Sequence, residues 1–155
     1  MIQGRLDATE LTIGVAVSAF NQAVTAGLLE GALEAIERAG GTPAHVVEAP
    51  GAFELPVVAN ALIEAGCDCV VALGAVIKGE TDHYEHIAAQ TAAGLRQVAA
   101  TTGVPIGFGV LTTRTAAQAR ERALPGPGNK GAEAAEAAIR TADLLRSIRG
   151  DRGPR

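Results

Sequence analysis

The stretch CVVALGAVIKGETDHYEHI, residues 69–87, changes character halfway along. From Cys69 to Ile77 it is apolar without a break, which suits a parallel strand covered on both faces. From Lys78 to His86 it then collects Lys78, Glu80, Asp82, His83, Glu85 and His86, including two of the chain's three histidines. A helical pattern follows and closes on Gly103. The stretch is therefore one strand–helix unit with its titratable groups gathered at the junction.

Working outward, the same unit recurs. LTIGVAVS (11–18), HVVEA (45–49) and PIGFGVLT (105–112) are further β-rich runs, near-continuous rather than alternating. Between the first two, Leu28, Leu29, Ala32, Leu33 and Ile36 make an apolar helical stripe, with Glu30, Glu34, Glu37 and Arg38 on the opposite side. ELPVVANALIEAG (54–66) repeats the pattern and also ends on Gly. After the fourth run come a short helix, TAAQARERAL, the breaker PGPG, and an alanine-rich helix from about Lys130 to Ile148. Residues 1–10 read as an N-terminal segment and 149–155 as a solvated, disordered tail. No repeat or linker divides the chain, so residues 1–155 are expected to form a single domain. The expected fold is α/β: a three-layer αβα sandwich around a four-stranded parallel sheet, flavodoxin-like, with right-handed crossovers. In such sheets ligands bind beyond the carboxyl ends of the strands.

Composition narrows the function classes. With 155 residues, 48% hydrophobic and 19% charged, the chain is globular and long enough for a real core. The net charge is −4 and the cations are scattered, which argues against a nucleic-acid partner. No apolar run approaches a bilayer span, so no membrane contact is expected. The opening MIQGRLDATE lacks a basic stretch followed by an apolar one, and a cytoplasmic location is expected. Cys67 and Cys69 are too close in sequence for a structural disulfide and too few for a zinc site, so they read as reduced thiols.

The aromatics cluster where ligands bind. Phe20 follows the first run, Phe53 the second, and Tyr84 opens the helix after the third, while Phe108 lies within the fourth. These rings either plug the top of the sheet or wall a slot for a flat conjugated ligand, and their agreement with the strand-end rule favours the slot. In GETDHYEH, Thr81 or Asp82 can cap the helix, with Glu85 placed for a capping box. The first-turn amides suit an anion, phosphate above all, and His83 can exchange protons near neutrality. No metal is expected, because H-x-x-H is an awkward helical spacing and no H-E-x-x-H occurs.

Elsewhere the residues leave alternatives open. Glu54, after APGAF, either complements a helix dipole or accepts hydrogen bonds from a polyol or amine. GPGNKG (126–131) matches G-x-G-x-x-G formally, but no strand precedes it, so it is a loop. Lys130 at a helix start opposes the dipole, which hints at an anionic partner, as does Arg122, although both also suit a solvated surface.

Taken together, AFN, LLEGA, PGAFELP, GAVIKGETDHYEH, PIGFGVLTT, QARERA and GNKGAEAA resemble the lumazine synthase family, in its motif order, from about residue 4 to 148. The resemblance implies condensation of 5-amino-6-(D-ribitylamino)uracil with 3,4-dihydroxy-2-butanone 4-phosphate to 6,7-dimethyl-8-ribityllumazine, with no cofactor. It further implies that Phe20 stacks on the pyrimidine, with Asn21, Ala52, Phe53 and Glu54 beside it and Glu54 holding the ribityl hydroxyls. Ala75, Val76 and Ile77 would meet the pyrimidine edge through backbone groups. Glu80, Thr81 and Arg122 would bind phosphate, His83 would transfer protons, and Phe108, Arg122 and Lys130 would arrive from a neighbouring subunit. Relatives form pentamers, some assembled into an icosahedral shell of sixty chains, so a homo-oligomer acting on small-molecule substrates is implied. Two departures stand out: LPGP before GNKG, which puts the shell form in question, and Ala19 where many relatives carry Arg. The rival readings are a flavodoxin-like flavin binder and a shell-forming paralogue without catalysis.

Overall fold

The computed structural model describes residues 1–151. Its strands are β1 (Ile13–Ser18), β2 (His45–Ala49), β3 (Cys69–Ile77) and β4 (Ile106–Thr113). The helices are α1 (Gln22–Arg38), α2 (Leu55–Glu64), α3 (His83–Thr102), α4 (Ala116–Arg122) and α5 (Lys130–Arg149), with a single 3-10 turn at Ala52–Glu54. All strand pairs are parallel and the sheet order is β2-β1-β3-β4.

Two apolar clusters cover the two faces of this sheet, and the alternation of β3 shows why both exist. Cys69, Val71, Leu73 and Ala75 point to the side carrying α1, α4 and α5, where Leu28, Ile36, Ala135 and Ile139 complete the cluster. Val70, Ala72 and Val76 point to the side of α2 and α3, against Leu55, Ala59, Leu62 and Leu95. This is the three-layer arrangement expected, and the uninterrupted apolar character of residues 69–77 follows from it.

Edge position corrects the reading of HVVEA. Strand β2 pairs only with β1, and of its five residues only Ala49 is buried, with Val46 46% exposed. Its apolar side chains reflect β propensity more than burial. At the other edge, Phe108 and Thr112 of β4 are exposed. Helix α3 is also sparsely covered: among its 20 residues only Thr91 and Leu95 are buried. Helix α5 runs one residue further than expected, taking in the first residue of the expected tail. Arg149 closes α5, Gly150 ends it at φ 78°, and residues 152–155 lie outside the described part. No described helix is long and apolar enough to cross a membrane.

Polar clasps fix the segment before β1. The Arg5 backbone amide donates to Asp143 at 2.7 Å and its guanidinium to the same carboxylate at 3.1 Å, with Asp143 buried. Asp68 accepts from the Thr12 amide at 2.7 Å and from Arg146 at 3.2 Å. The N-terminal segment therefore lies on this chain's own α5. On either side of Asp68 in the chain, Cys67 and Cys69 are buried and free. Burial, and then the negative charge of Asp68, pushes the Cys69 thiol up to about 12, so it stays protonated and inert.

Small residues let α5 lie close on α1. A β-carbon at Gly131 would run into the Leu28 carbonyl. Replacing Gly131 by Ala is expected to force the helices apart and to lower unfolding free energy by about 1–3 kcal/mol, the usual cost of overpacking. Urea unfolding at constant m-value measures it; an unchanged midpoint would show that this contact relaxes freely.

Candidate active site

Strands β1 and β3 are neighbours, yet α1 leaves β1 on one face of the sheet and α3 leaves β3 on the other. Connections that part in this way open a crevice beyond the strand ends. A cavity of about 400 Å³ lies there. Its walls come from three junctions: Phe20 and Asn21 after β1, Gly51 to Glu54 after β2, and Ala75, Val76, Ile77, Gly79, Thr81, His83, Tyr84 and Ile87 around the end of β3 and the start of α3.

Each junction has a local cause. Asn21 is the only non-glycine with positive φ among the described residues, at φ 64° and ψ 49°. Asparagine tolerates this left-handed geometry better than most residues. Its side-chain amide donates to the Ala75 carbonyl at 2.8 Å, tying the turn after β1 to the end of β3. Phe20, just before this bend, is left 69% exposed at the cavity. At the second junction Gly51 leads into the 3-10 turn, where the Glu54 amide donates to the Gly51 carbonyl at 3.3 Å. That turn buries Ala52 and leaves the Phe53 ring 58% exposed, with Glu54 half-buried beside it.

At the third junction the capping box expected around Glu85 does not form. Asp82 occupies the N-cap position without a side-chain bond, and the Glu85 carboxylate instead accepts the Tyr84 hydroxyl at 3.2 Å. Thr81 makes only a long contact, accepting the His83 amide at 3.4 Å. A reciprocal capping box is found at α4 instead, between Thr115 and Gln118. The start of α3, with the positive end of its dipole, therefore faces the cavity largely uncapped, an arrangement suited to an anion. His83 is the first residue of α3, exposed and on the cavity wall. His86 is exposed one turn on, outside the lining, and His45 stands at the opposite end of the sheet at the start of β2.

Most of the expected site residues meet here: Phe20, Asn21, Ala52, Phe53, Glu54, Ala75, Val76, Ile77, Thr81 and His83. Glu80 is exposed between two lining residues without lining the cavity itself. Phe108, Arg122 and Lys130 are elsewhere. They line a groove of about 690 Å³ along the free edge of β4. Three rings, not four, thus wall the first cavity, because Phe108 sits midway along β4, on its open side. The awkward charge of Lys130 at a helix start is answered within the chain by Glu133, at 2.8 Å. The Arg122 guanidinium donates to the Gln118 carbonyl at 2.9 Å. Of the lining residues not named from sequence, Ile87 lies one helical turn beyond His83, a spacing that shares a face and could have found it. Gly51 and Gly79 carried no side-chain signal.

Fold and cavity together define a doubly wound α/β protein of flavodoxin-like layout, with an aromatic-walled site at its topological switch point. The family follows from comparison. A family model described as 6,7-dimethyl-8-ribityllumazine synthase matches residues 10–146. A protein of that name from Thermus thermophilus is 53% identical over 146 residues, covering 92% of this chain and 93% of the relative. One from Syntrophus aciditrophicus is 48% identical over 149 residues, covering 94% and 97%, and one from Leifsonia xyli is 47% identical over 148, covering 94% and 93%. The chain belongs to the 6,7-dimethyl-8-ribityllumazine synthase family.

The bend at residue 21 can be probed directly. Asn21→Ala should lose stability by about 1–2 kcal/mol from left-handed strain plus about 1 kcal/mol from the missing hydrogen bond. Asn21→Gly should lose less, since glycine accepts the geometry. Thermal melts rank the three proteins; an alanine variant more stable than the glycine one would contradict the assignment.

Proposed function

We propose that the cavity at the β1–β3 switch point is where 5-amino-6-(D-ribitylamino)uracil condenses with 3,4-dihydroxy-2-butanone 4-phosphate. The products are 6,7-dimethyl-8-ribityllumazine, phosphate and water, and no cofactor takes part. One observation carries this reading: Phe20 and His83 line the same cavity in a chain whose family is named for that product. Phe20 stacks on the pyrimidine, Glu54 receives the ribityl hydroxyls, and the backbone of Ala75 to Ile77 meets the pyrimidine edge. The start of α3 at Glu80 and Thr81 receives the phosphate. His83 moves protons as the amine attacks the ketone, the imine forms, phosphate departs and the second amine closes the ring.

Phe108, Arg122 and Lys130 lie along β4, apart from this cavity, which supports a site completed by a second copy of the chain. The free β4 edge and the sparsely covered α3 are consistent with such packing. A pentamer is the assembly proposed, with an icosahedral shell as its larger form, in the cytoplasm. Arg122 from the neighbour then joins the phosphate site, and Lys130 and Phe108 close over the pyrimidine.

Two substrates held together can supply up to roughly 7–11 kcal/mol of the barrier reduction, more than one proton-transfer group adds. His83→Ala is therefore expected to slow turnover about 100-fold, the low end for general acid–base catalysis, while leaving measurable lumazine formation. Total loss with substrate binding intact would reverse that ranking. Arg122→Ala should raise KM for the phosphorylated ketone roughly 10- to 100-fold, the worth of a charge-assisted hydrogen bond of about 1.5–3 kcal/mol. An unaltered KM would take Arg122 out of the phosphate site. Appearance of the lumazine chromophore when both substrates are mixed with the wild-type protein tests the activity itself.

A further inference from the structure

Asn129 is 2% exposed, a polar side chain sunk between three helices. The two hydrogens of its amide nitrogen are shared among three carbonyls: Leu124 at 3.0 Å, Gly27 at 3.1 Å and Ala123 at 3.2 Å. Its side-chain oxygen accepts the Ala132 amide at 3.0 Å, capping α5. One side chain thus satisfies carbonyls of α1 and of the end of α4, and an amide of the first turn of α5. Space for it is made by Gly31 of α1, where a β-carbon would collide with the Asn129 side-chain oxygen. Buried amides left unpaired are costly, so a fully used one is a strong local constraint.

The position of this constraint is what matters. Arg122 is the last residue of α4, one step before Ala123, and Lys130 is the first residue of α5, one step after Asn129. Both are exposed on the β4 groove, and the chain between them, residues 123–129, is built around PGPG, with Gly126 and Gly128 at positive φ. Such a loop holds the two cations in register only if something pins its ends. We infer that Asn129 is a positioning residue: it latches the ends of α4 and α5 to α1 and so fixes how Arg122 and Lys130 stand relative to each other and to the substrates. This rests on the proposed roles of Arg122 and Lys130 in substrate binding.

Two variants release the latch differently. Asn129→Ser keeps an oxygen suited to capping α5 but offers at most one hydrogen to the three carbonyls. Gly31→Ala leaves Asn129 unchanged and displaces it from the α1 side. Ile139→Val, in the α5 core away from the groove, is the control for lost stability. The expected result in the assembled wild-type background is faster amide exchange over residues 124–130, together with KM for both substrates raised about tenfold or more. Ångström-scale misplacement of binding groups costs up to roughly 100-fold. The control should leave both readouts near wild type. If Asn129→Ser folds poorly, Gly31→Ala decides alone. KM values within twofold of wild type in both variants, beside a melting temperature lowered as in the control, overturn the inference and leave Asn129 a structural hub. Should Arg122→Ala and Lys130→Ala themselves leave KM unchanged, the substrate-binding roles fail and the inference falls with them. Raised KM in those two, but not in the latch variants, refutes the latch alone.

Discussion

Strands β1 and β3 are hydrogen-bonded side by side, and the chain leaves them toward opposite faces of the sheet. No connection can then cover the ends of both strands. The gap between the departing segments is a consequence of topology, and the cavity occupies it. Everything placed on its walls depends on that parting: the rings of Phe20 and Phe53, the backbone at Ala75 to Ile77, and the first turn of α3.

Rigid parts surround the gap. The side-chain bond from Asn21 to Ala75 ties the two central junctions together, and buried Leu55 and Ala52 anchor the turn that presents Phe53 and Glu54. The exposed rings are held by backbone geometry rather than by their own packing, which leaves them available to stack on a planar ligand. The first turn of α3 is kept open in the same sense. Glu85, which could have satisfied it, is turned to Tyr84. Partial burial, and then this hydrogen bond to Glu85, holds the phenol above its usual range, so Tyr84 remains a neutral donor.

The two surfaces of the chain are complementary in character. One carries rings, a histidine and a largely uncapped helix start; the other, along β4, carries Phe108 and two cations. An anion with a planar partner would draw on both. Separation of these groups within one chain is the observation behind the proposed site shared between copies, and in that proposal the conformation of the α4–α5 connection matters as much as the cavity itself. Asn129 and the glycines around it govern that connection.

The sequence by itself determined the layout. Apolar runs of strand length alternating with helical stripes specify a parallel sheet between helix layers, and β3 at residues 69–77 and α5 from Lys130 lie where the pattern put them. It also placed Phe20, Glu54 and His83 at strand ends, since strand-to-helix junctions are legible from periodicity. Strand order it did not determine. HVVEA reads like a central strand, and its edge position follows from which neighbours it meets. The failed capping box at Glu85, the left-handed turn at Asn21 and the latch at Asn129 were likewise decided by tertiary structure. Each depends on a partner distant in sequence or on competing local bonds of similar strength, and a hydrogen bond worth about 1 kcal/mol goes to whichever partner the packed fold brings within reach.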